Sequence, residues 1–207
     1  MNDVREKALD AFLGLIAEKG YADVALRDVA QSAGVGFADL YGVYPDKISL
    51  AAAFMAHIDA EVMAGTPSSV DPEETPRDRL FDVMMRRYDA LRPHRAALRA
   101  LRRAGTRDPM LAIAMGPPLR RSMAAMLEAA SVASDGLPGA LRQNGLLAIH
   151  YAVSRVFDRD ETQDLSKTMA ALDNRLKTAE RWSQLFDKYV KSPGGEVRSG
   201  APVSPEA

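Results

Sequence analysis

Residues 19–50 read KGYADVALRDVAQSAGVGFADLYGVYPDKISL, and their pattern decides the fold. Apolar residues recur in this stretch at helical spacing, and the pattern breaks at Gly20, at Gly34 and between Gly42 and Pro45. The breaks predict three short helices, of which the last two are joined by a tight glycine turn. Paired helices of this kind usually place the second helix in a DNA groove. The stretch therefore predicts a helix-turn-helix.

The rest of the chain is also patterned for helices. We expect helices over residues 4–19, 46–62, 77–91, 94–104, 108–131, 137–157 and 164–191. The helix over 108–131 should bend or divide at its proline pair, because proline cannot donate to the helical ladder. Turn formers dominate residues 65–76, which predicts a loop, and residues 192–207, which predicts a disordered tail. An all-α fold follows.

Composition restricts the class of protein. The chain has 207 residues, of which 47% are hydrophobic, and it has no cysteine. Disulfides, thiolate metal sites and cysteine nucleophiles are therefore excluded, as is usual in a reducing cytosol. The N-terminus lacks the pattern of a secretion signal, and no run approaches the roughly 18 apolar residues of a membrane span. We expect a soluble, cytoplasmic protein.

The net charge of −1 hides an uneven distribution. Residues 1–60 carry 5 basic and 9 acidic residues, whereas residues 76–122 carry 12 arginines and 4 aspartates. Positive charge thus lies outside the helix-turn-helix. Since non-specific DNA affinity comes mainly from neutralising phosphates with Lys and Arg, we expect any DNA binding to be weak.

Residues 5–58 resemble the DNA-binding domain of the TetR family of transcriptional regulators. The resemblance is carried by Gly20-Tyr21, Leu26-Arg27-Asp28-Val29-Ala30, Ala33-Gly34-Val35, Leu40-Tyr41, Lys47 and Leu50. It implies a DNA-binding domain at residues 1–50, a larger ligand-binding and dimerisation domain at 51–191, and a homodimer on a palindromic operator. The residues that it implies for DNA binding are Arg27, Gly36, Phe37, Asp39, Tyr41, Tyr44 and Lys47.

Three positions depart from the family pattern. Ala25 stands where a Thr usually caps the second helix, and Gly36 stands where a Ser opens the recognition helix. Asp39 replaces a small residue or Thr that faces DNA, so its carboxylate would meet the phosphate field unless it accepted from a cytosine amino group.

Residues 160–175, DETQDLSKTMAALDNR, resemble a second family, the accessory lipid-binding proteins of ubiquinone biosynthesis, which share the TetR-like fold. The matching positions are Asp160, Asp164, Thr168, Leu172, Asn174 and Arg175. This resemblance implies a lipid or isoprenoid ligand and a scaffold without DNA activity. Met169 stands where that family tends to have a tryptophan. The alternative interpretation is the start of a helix followed by a packing seam.

Methionines are concentrated in the middle of the chain and could line an adaptable apolar pocket. The predicted pocket residues are Phe81, Met84, Met85, Tyr88, Met110, Ile113, Met115, Met123 and Met126. An ordinary helical core is the alternative. The resemblance places an effector or lipid cavity among these helices, so we expect a small apolar or lipid-like ligand.

The last two helices have apolar faces too wide for one partner, which predicts a dimer. The predicted interface residues are Leu141, Ile149, Val153, Leu165, Met169, Leu172 and Leu176. The final helix ends in aromatic and basic residues, RWSQLFDKYVK at 181–191, which suits packing onto the dimer or peripheral contact with a membrane surface.

A basic stripe recurs at helical spacing and predicts either a solvated face or an anion site. Its members are Arg92, Arg95, Arg99, Arg102 and Arg103. Evidence for catalysis is thin, because His57, His94 and His150 lie on different predicted helices without metal-ligand spacing. Arg155, Asp158 and Asp160 fit surface ion pairs better than catalysis. We expect no enzymatic activity, metal or cofactor.

Overall fold

The computed structural model describes residues 2–67, 69 and 71–191, excluding the side chains of Asn2 and of residues 182–191. The helices are α1 (Asn2–Lys19), α2 (Leu26–Ala33), α3 (Phe37–Val43), α4 (Lys47–Ala64), α5 (Pro76–Leu91), α6 (Arg95–Arg107), α7 (Pro109–Ala129), α8 (Gly136–Phe157) and α9 (Ser166–Lys191), with a 3-10 turn at Arg92–His94. The predicted all-α fold is confirmed. The predicted tail at 192–207 lies outside the described residues.

The turn between α2 and α3 depends on Gly34. This residue adopts a left-handed conformation with φ of 65°, which glycine adopts without steric cost. Its N–H bonds to the carbonyl of Gln31, and the next N–H, that of Val35, bonds to the carbonyl of Ala30 at 3.1 Å. These bonds satisfy the last carbonyls of α2, and α3 begins immediately afterwards.

The start of α2 keeps only one half of a capping box. The carboxylate of Asp28 accepts from the N–H of Ala25 at 2.8 Å. The reciprocal bond needs a side-chain oxygen at position 25, which alanine lacks. The predicted poor cap is therefore present, and Asp28 compensates for part of it.

Helix α1 holds the helix-turn-helix on the rest of the molecule. Its buried residues Phe12 and Ile16 share a core with Val29 of α2 and Leu40 of α3. The same helix packs against α6 of the larger domain. The predicted break at residue 50 falls inside α4, which begins at an Asp46 cap and continues into contact with α5 and α7.

Helix α7 crosses its proline pair without dividing. The sequence predicted a bend or a break at Pro117 and Pro118, and the structure has one helix from Pro109 to Ala129. Proline has no N–H, so the carbonyls of Ile113 and Ala114 lose their usual partners four residues later.

Asp160 anchors the start of α9. Its carboxylate is buried and accepts from the N–H and hydroxyl of Thr168, each at 2.7 Å, and from the N–H and hydroxyl of Thr162. Burial alone raises the pKa of Asp160, but the hydrogen bonds from Thr162 and Thr168 outweigh burial and hold this pKa at about 2. The expected surface ion pair of Asp160 is thus replaced by a buried cap.

Among the described residues, no helix is both long enough and apolar enough to cross a membrane.

Candidate nucleic-acid interface and internal cavity

One exposed aromatic patch marks the recognition helix α3. Phe37 is 42% exposed and Tyr41 is 57% exposed, with their ring centroids 6.3 Å apart. The guanidinium of Arg27, on α2, lies 5.1 Å from the centroid of the Phe37 ring. Three of the predicted DNA-binding residues therefore form a single surface that remains open to a partner.

Two other predicted DNA-binding residues turn toward the protein. The ammonium of Lys47 donates to the backbone carbonyl of Tyr21 at 2.7 Å and lies 4.4 Å from the centroid of that tyrosine ring. Burial lowers the pKa of Lys47, and the charge of Asp23 opposes this shift. Tyr44 is half-buried against the core. In this conformation the Lys47 ammonium contacts Tyr21, and Tyr44 is less exposed than Phe37 or Tyr41.

Asp39 gives α3 an acidic surface. A methyl group built on Gly36 would lie 2.6 Å from Oδ2 of Asp39, so this carboxylate folds back over the first turn of α3. A negative charge is favourable there, because the helix N-terminus is positive. The sequence FADLYGV of α3 contains no Lys or Arg. The exposed surface of α3 thus consists of aromatic side chains and one carboxylate.

The larger domain contains a cavity of about 400 Å³ that is partly open to solvent, since its lining residues Tyr151 and Arg155 are exposed. Pockets of roughly 300–1,000 Å³ are typical of small-molecule sites. The walls come from α5, α6, α7 and α8, and Met55 of α4 contributes at one side. The lining residues are Met55, Arg87, Leu91, Leu98, Leu101, Arg102, Gly105, Thr106, Leu111, Ala112, Met115, Leu119, His150, Tyr151, Ser154, Arg155 and Phe157.

A buried polar cluster joins this cavity to α4. Arg87 of α5 is fully buried, and its Nη1 donates to the carboxylate of Asp59 on α4. The hydroxyl of Ser122 on α7 donates to the same carboxylate at 2.6 Å. Helices α4, α5 and α7 therefore meet at one carboxylate beside the cavity.

The cavity is not where the methionine pattern placed it. Of the predicted pocket residues, only Met115 lines it. Met84, Met85, Tyr88, Met123 and Met126 are buried in the core, Phe81 is partly buried, and Met110 and Ile113 are exposed. The buried methionines of α5 and α7 pack against neighbouring helices and do not line the cavity.

The residues of α6 that line the cavity were not among the predicted pocket residues. Leu98, Leu101 and Gly105 recur on this helix at intervals of three and four, which is the spacing of one helical face. This signal is present in the sequence, but it is interleaved with the arginines of the same segment, of which Arg102 also lines the cavity.

The basic stripe does not act as one continuous surface, because its members have different partners and different exposure. Arg102 forms an ion pair with Asp158 and donates to the carbonyl of Ser154 at 3.4 Å. Arg99 donates to the carbonyl of Asp158, and Arg95 donates to that of Asp160 while lying over the ring of Phe157. These contacts satisfy carbonyls at the C-terminal end of α8, where positive charge is favourable. The other members, Arg92 and Arg103, do not join these contacts: Arg92 pairs with Asp89, and Arg103 is exposed.

The predicted interface residues divide between surface and core. Leu141 is 66% exposed, Met169 is 40% exposed and Ile149 is half-buried. Val153, Leu165, Leu172 and Leu176 are buried within the chain. The seam of α9 is therefore used to pack α9 on α5 and α8, and its leucines cannot meet a second copy. The aromatic end of α9 lies beyond the described side chains.

The three histidines remain apart. His150 is buried at the cavity, and the ring of His94 packs edge-on against Phe54. His57 is exposed on α4. Within the described ranges, no group of three His, Asp or Glu side chains is placed to hold a metal ion.

Comparison with known proteins identifies the N-terminal region. Residues 8–54 match the model of the bacterial regulatory proteins of the tetR family. No curated protein matches the chain significantly.

Solved structures of transcriptional regulators share the fold. The TetR transcriptional regulator from Nitrosomonas europaea ATCC 19718 has a TM-score of 0.69 at 20% identity, over 86% of this chain and 98% of that one. A TetR regulator from Rhodococcus sp. RHA1 has a TM-score of 0.60 at 24% identity, over 84% and 96%. The fatty acid degradation regulator FadR from Bacillus halodurans has a TM-score of 0.56 at 16% identity, over 84% and 94%. The chain is thus TetR-like in both parts: residues 8–54 are similar to the tetR-family domain, and the overall fold is similar to that of TetR transcriptional regulators.

Proposed function

We propose that this protein is a ligand-responsive transcriptional regulator that binds a palindromic operator as a homodimer. The observation that carries the proposal is the combination of an open surface on the helix-turn-helix with a partly open cavity in the larger domain. Arg27, Phe37 and Tyr41 are exposed together on the helix-turn-helix. The cavity lies in the other domain and is lined by Met55 of α4, the helix that follows the helix-turn-helix directly.

Two helices connect the cavity to the recognition surface. Helix α6 lines the cavity and packs against α1, which holds α2 and α3. Helix α4 reaches the cavity at Met55 and begins at Lys47, which is bonded to the loop before α2. A ligand that favours one position of α4 and α6 shifts the population of dimers whose recognition helices match the operator spacing.

The dimer is proposed to form through α8 and α9, with an interface narrower than the sequence predicted. On α8, Leu141, Gly145 and Ala148 are exposed at the spacing of one helical face. Met169 adds an exposed apolar side chain on α9. These residues form the proposed contact surface. The buried leucines of α9 pack this helix against the rest of the same chain.

The proposed effector is a small apolar molecule. Apolar side chains of α6 and α7 make up most of the cavity walls, including Leu98, Leu101, Leu111, Met115 and Leu119. The fold resemblance to a fatty acid degradation regulator supports a ligand with an acyl or similar flexible chain.

A selection from random duplex DNA tests the proposal. Purified protein is incubated with a pool of random duplexes, bound DNA is recovered, and the enriched sequences are read. We expect an inverted repeat, and its affinity should fall when an acyl ligand fills the cavity. Failure to enrich any motif at low salt would overturn the proposal.

A lipid-binding accessory protein without DNA activity is the second candidate. It is favoured by the absence of Lys and Arg from α3 and by the engagement of Lys47 with Tyr21. The same selection discriminates the two candidates, because only the regulator enriches a DNA motif.

A further inference from the structure

Arg87 has hydrogen-bonding capacity that the protein does not use. The side chain is fully buried and lines the cavity. One terminal nitrogen, Nη1, donates to Asp59, and the other, Nη2, meets only the sulfur of Met55 at 3.8 Å. The Nε–H has no partner among the residues that the structure describes. A buried, charged donor without an acceptor is costly, and a thioether is a weak acceptor.

The charged side chains that line the cavity are all hydrogen-bond donors. Arg102 and Arg155 line it with Arg87, and no Asp or Glu is found among the described lining residues. The hydroxyl of Ser154 lies 3.5 Å from Nε2 of His150, which is too long for a good hydrogen bond between them. Nε2 of His150 therefore has no short hydrogen bond among the described residues, whereas Nδ1 of the same ring faces the hydroxyl of Tyr88.

The charge of this wall suits a single negative charge. Asp59 neutralises Arg87, and Asp158 neutralises Arg102. Arg155 is exposed and forms no ion pair within the described part of the chain, so it adds one positive charge at the solvent side of the cavity. The Nε–H and an Nη2–H of one guanidinium lie in a plane and match the two oxygens of a carboxylate.

We infer that the cavity binds an amphiphilic monocarboxylate whose carboxylate accepts from Arg87 and whose apolar tail lies against α6 and α7. The inference rests on the proposed function in naming the effector class of the same cavity. Leu98, Leu101, Leu111 and Met115 supply apolar walls of the same cavity. Such a molecule finds hydrogen-bond donors for its head group and apolar side chains for its tail in one site.

Three probes with the same tail test the head group. Decanoate, decanol and decylamine are titrated into the full chain at pH 7.5 by isothermal calorimetry. We expect decanoate to bind at least tenfold more tightly than decanol, and decylamine to bind weakest. Equal or tighter binding of decanol, preference for the amine, or no binding of any probe would overturn the inference.

Substitution of Arg87 tests the position of the carboxylate. Arg87→Gln removes the charge and the planar pair of donors, so the tenfold preference for decanoate should disappear while the affinity for decanol changes less than threefold. Arg103→Gln, on the exposed face of α6, is the matched control and should keep the preference. Retention of the preference in Arg87→Gln would overturn the assignment.

Loss of Arg87 leaves the carboxylate of Asp59 without its partner, which threatens folding. The double variant Arg87→Gln/Asp59→Asn removes both charges, and the same loss of preference is expected. If both variants fail to fold, the three-probe series on the wild-type chain decides the inference. These titrations contain no DNA, so a chain that prefers decanoate but binds no operator overturns the regulator and leaves the ligand class standing.

Discussion

The phenolic oxygen of Tyr88 lies 3.2 Å from Nδ1 of His150, and the two rings are stacked with centroids 5.7 Å apart. Burial raises the pKa of Tyr88, which keeps the phenol protonated and able to donate to this nitrogen. Burial, followed by the charges of Arg87 and Arg102, lowers the pKa of His150 to about 3. The imidazole at the cavity wall is therefore neutral at physiological pH.

We predict that His150 makes folding sensitive to mild acid. Its pKa is about 3 in the folded chain and about 6.5 in an unfolded one. Between these values the unfolded chain binds the extra proton, so stability is full above about pH 6.5 and falls as pH decreases, by up to about 1.4 kcal/mol per pH unit. Urea denaturation of wild type and His150→Gln between pH 7.5 and 4 measures this effect. The variant should have the flatter profile, and parallel profiles would contradict the assignment.

We predict that Asp160→Asn lowers the free energy of unfolding by about 2–3 kcal/mol at pH 7. The amide can turn only one oxygen toward the threonines, so its NH₂ group faces a donor on Thr168 or Thr162 in a buried site. Asp164→Asn is the control, because its exposed carboxylate makes a single bond to Ser166 and should cost less than about 1 kcal/mol. Urea denaturation measures both, and equal losses would show that burial of Asp160 is unimportant.

Because its pKa is lowered in the folded chain, Asp160 also makes the free energy of unfolding depend on pH, in a more acidic range than His150. Its contribution is complete above the unfolded value near 4 and is lost as pH falls toward about 2. The Asp160→Asn variant should therefore differ from wild type at pH 5 and approach it near pH 2.

We predict that DNA binding is weak and modestly dependent on salt. The first sixty residues carry more acids than bases, and Lys47 is engaged with Tyr21. A plot of log affinity against log salt should be shallower than about −6, since each neutralised phosphate contributes about −0.9. Fluorescence anisotropy with the selected operator measures the slope, and a steeper one would mean many phosphate contacts.

In the same assay, Asp39→Thr should tighten binding about fivefold. Removing a unit charge near a phosphate is worth about 1 kcal/mol in water at 4 Å. Asp10→Thr, on the exposed side of α1, is the control and should leave the affinity nearly unchanged. No gain for Asp39→Thr would mean that α3 does not approach DNA.

We predict that Leu141→Glu together with Ala148→Glu produces a folded monomer. Both side chains are exposed on α8, so the charges disturb a partner and not the core. Leu172→Asp should instead unfold the chain, because Leu172 is fully buried. Sedimentation and circular dichroism separate the two outcomes. A double variant that remains a dimer would place the interface on another surface.

The sequence predicted the fold well and the cavity poorly, for one physical reason. Helix bounds follow from local signals such as Gly34 and the cap at Asp46, which act within one turn of the chain. A cavity forms where the apolar faces of neighbouring helices do not pack against each other, and this depends on the tertiary structure. Met84 and Leu101 have equally good apolar patterns, but the neighbours of Met84 fill its surroundings and those of Leu101 leave space.

The arginines of α6 show the same limit at longer range. Their spacing predicted a basic stripe along the helix, and the arginines do lie on α6 at that spacing. The partners of Arg95, Arg99 and Arg102 are carbonyls at the end of α8, more than fifty residues later in the chain. These hydrogen bonds between α6 and the end of α8 form only when the two helices pack together, so no local sequence pattern predicts them.

The proline pair of α7 bears on how selective the cavity is for ligand length. Met115 and Leu119 line the cavity on either side of Pro117 and Pro118, where two backbone hydrogen bonds are missing. We expect a helix with fewer internal hydrogen bonds to bend locally when a longer tail is bound. We therefore expect affinity to change gradually along a series of chain lengths, without the abrupt cutoff of a rigid wall, so that one protein senses a family of homologous compounds.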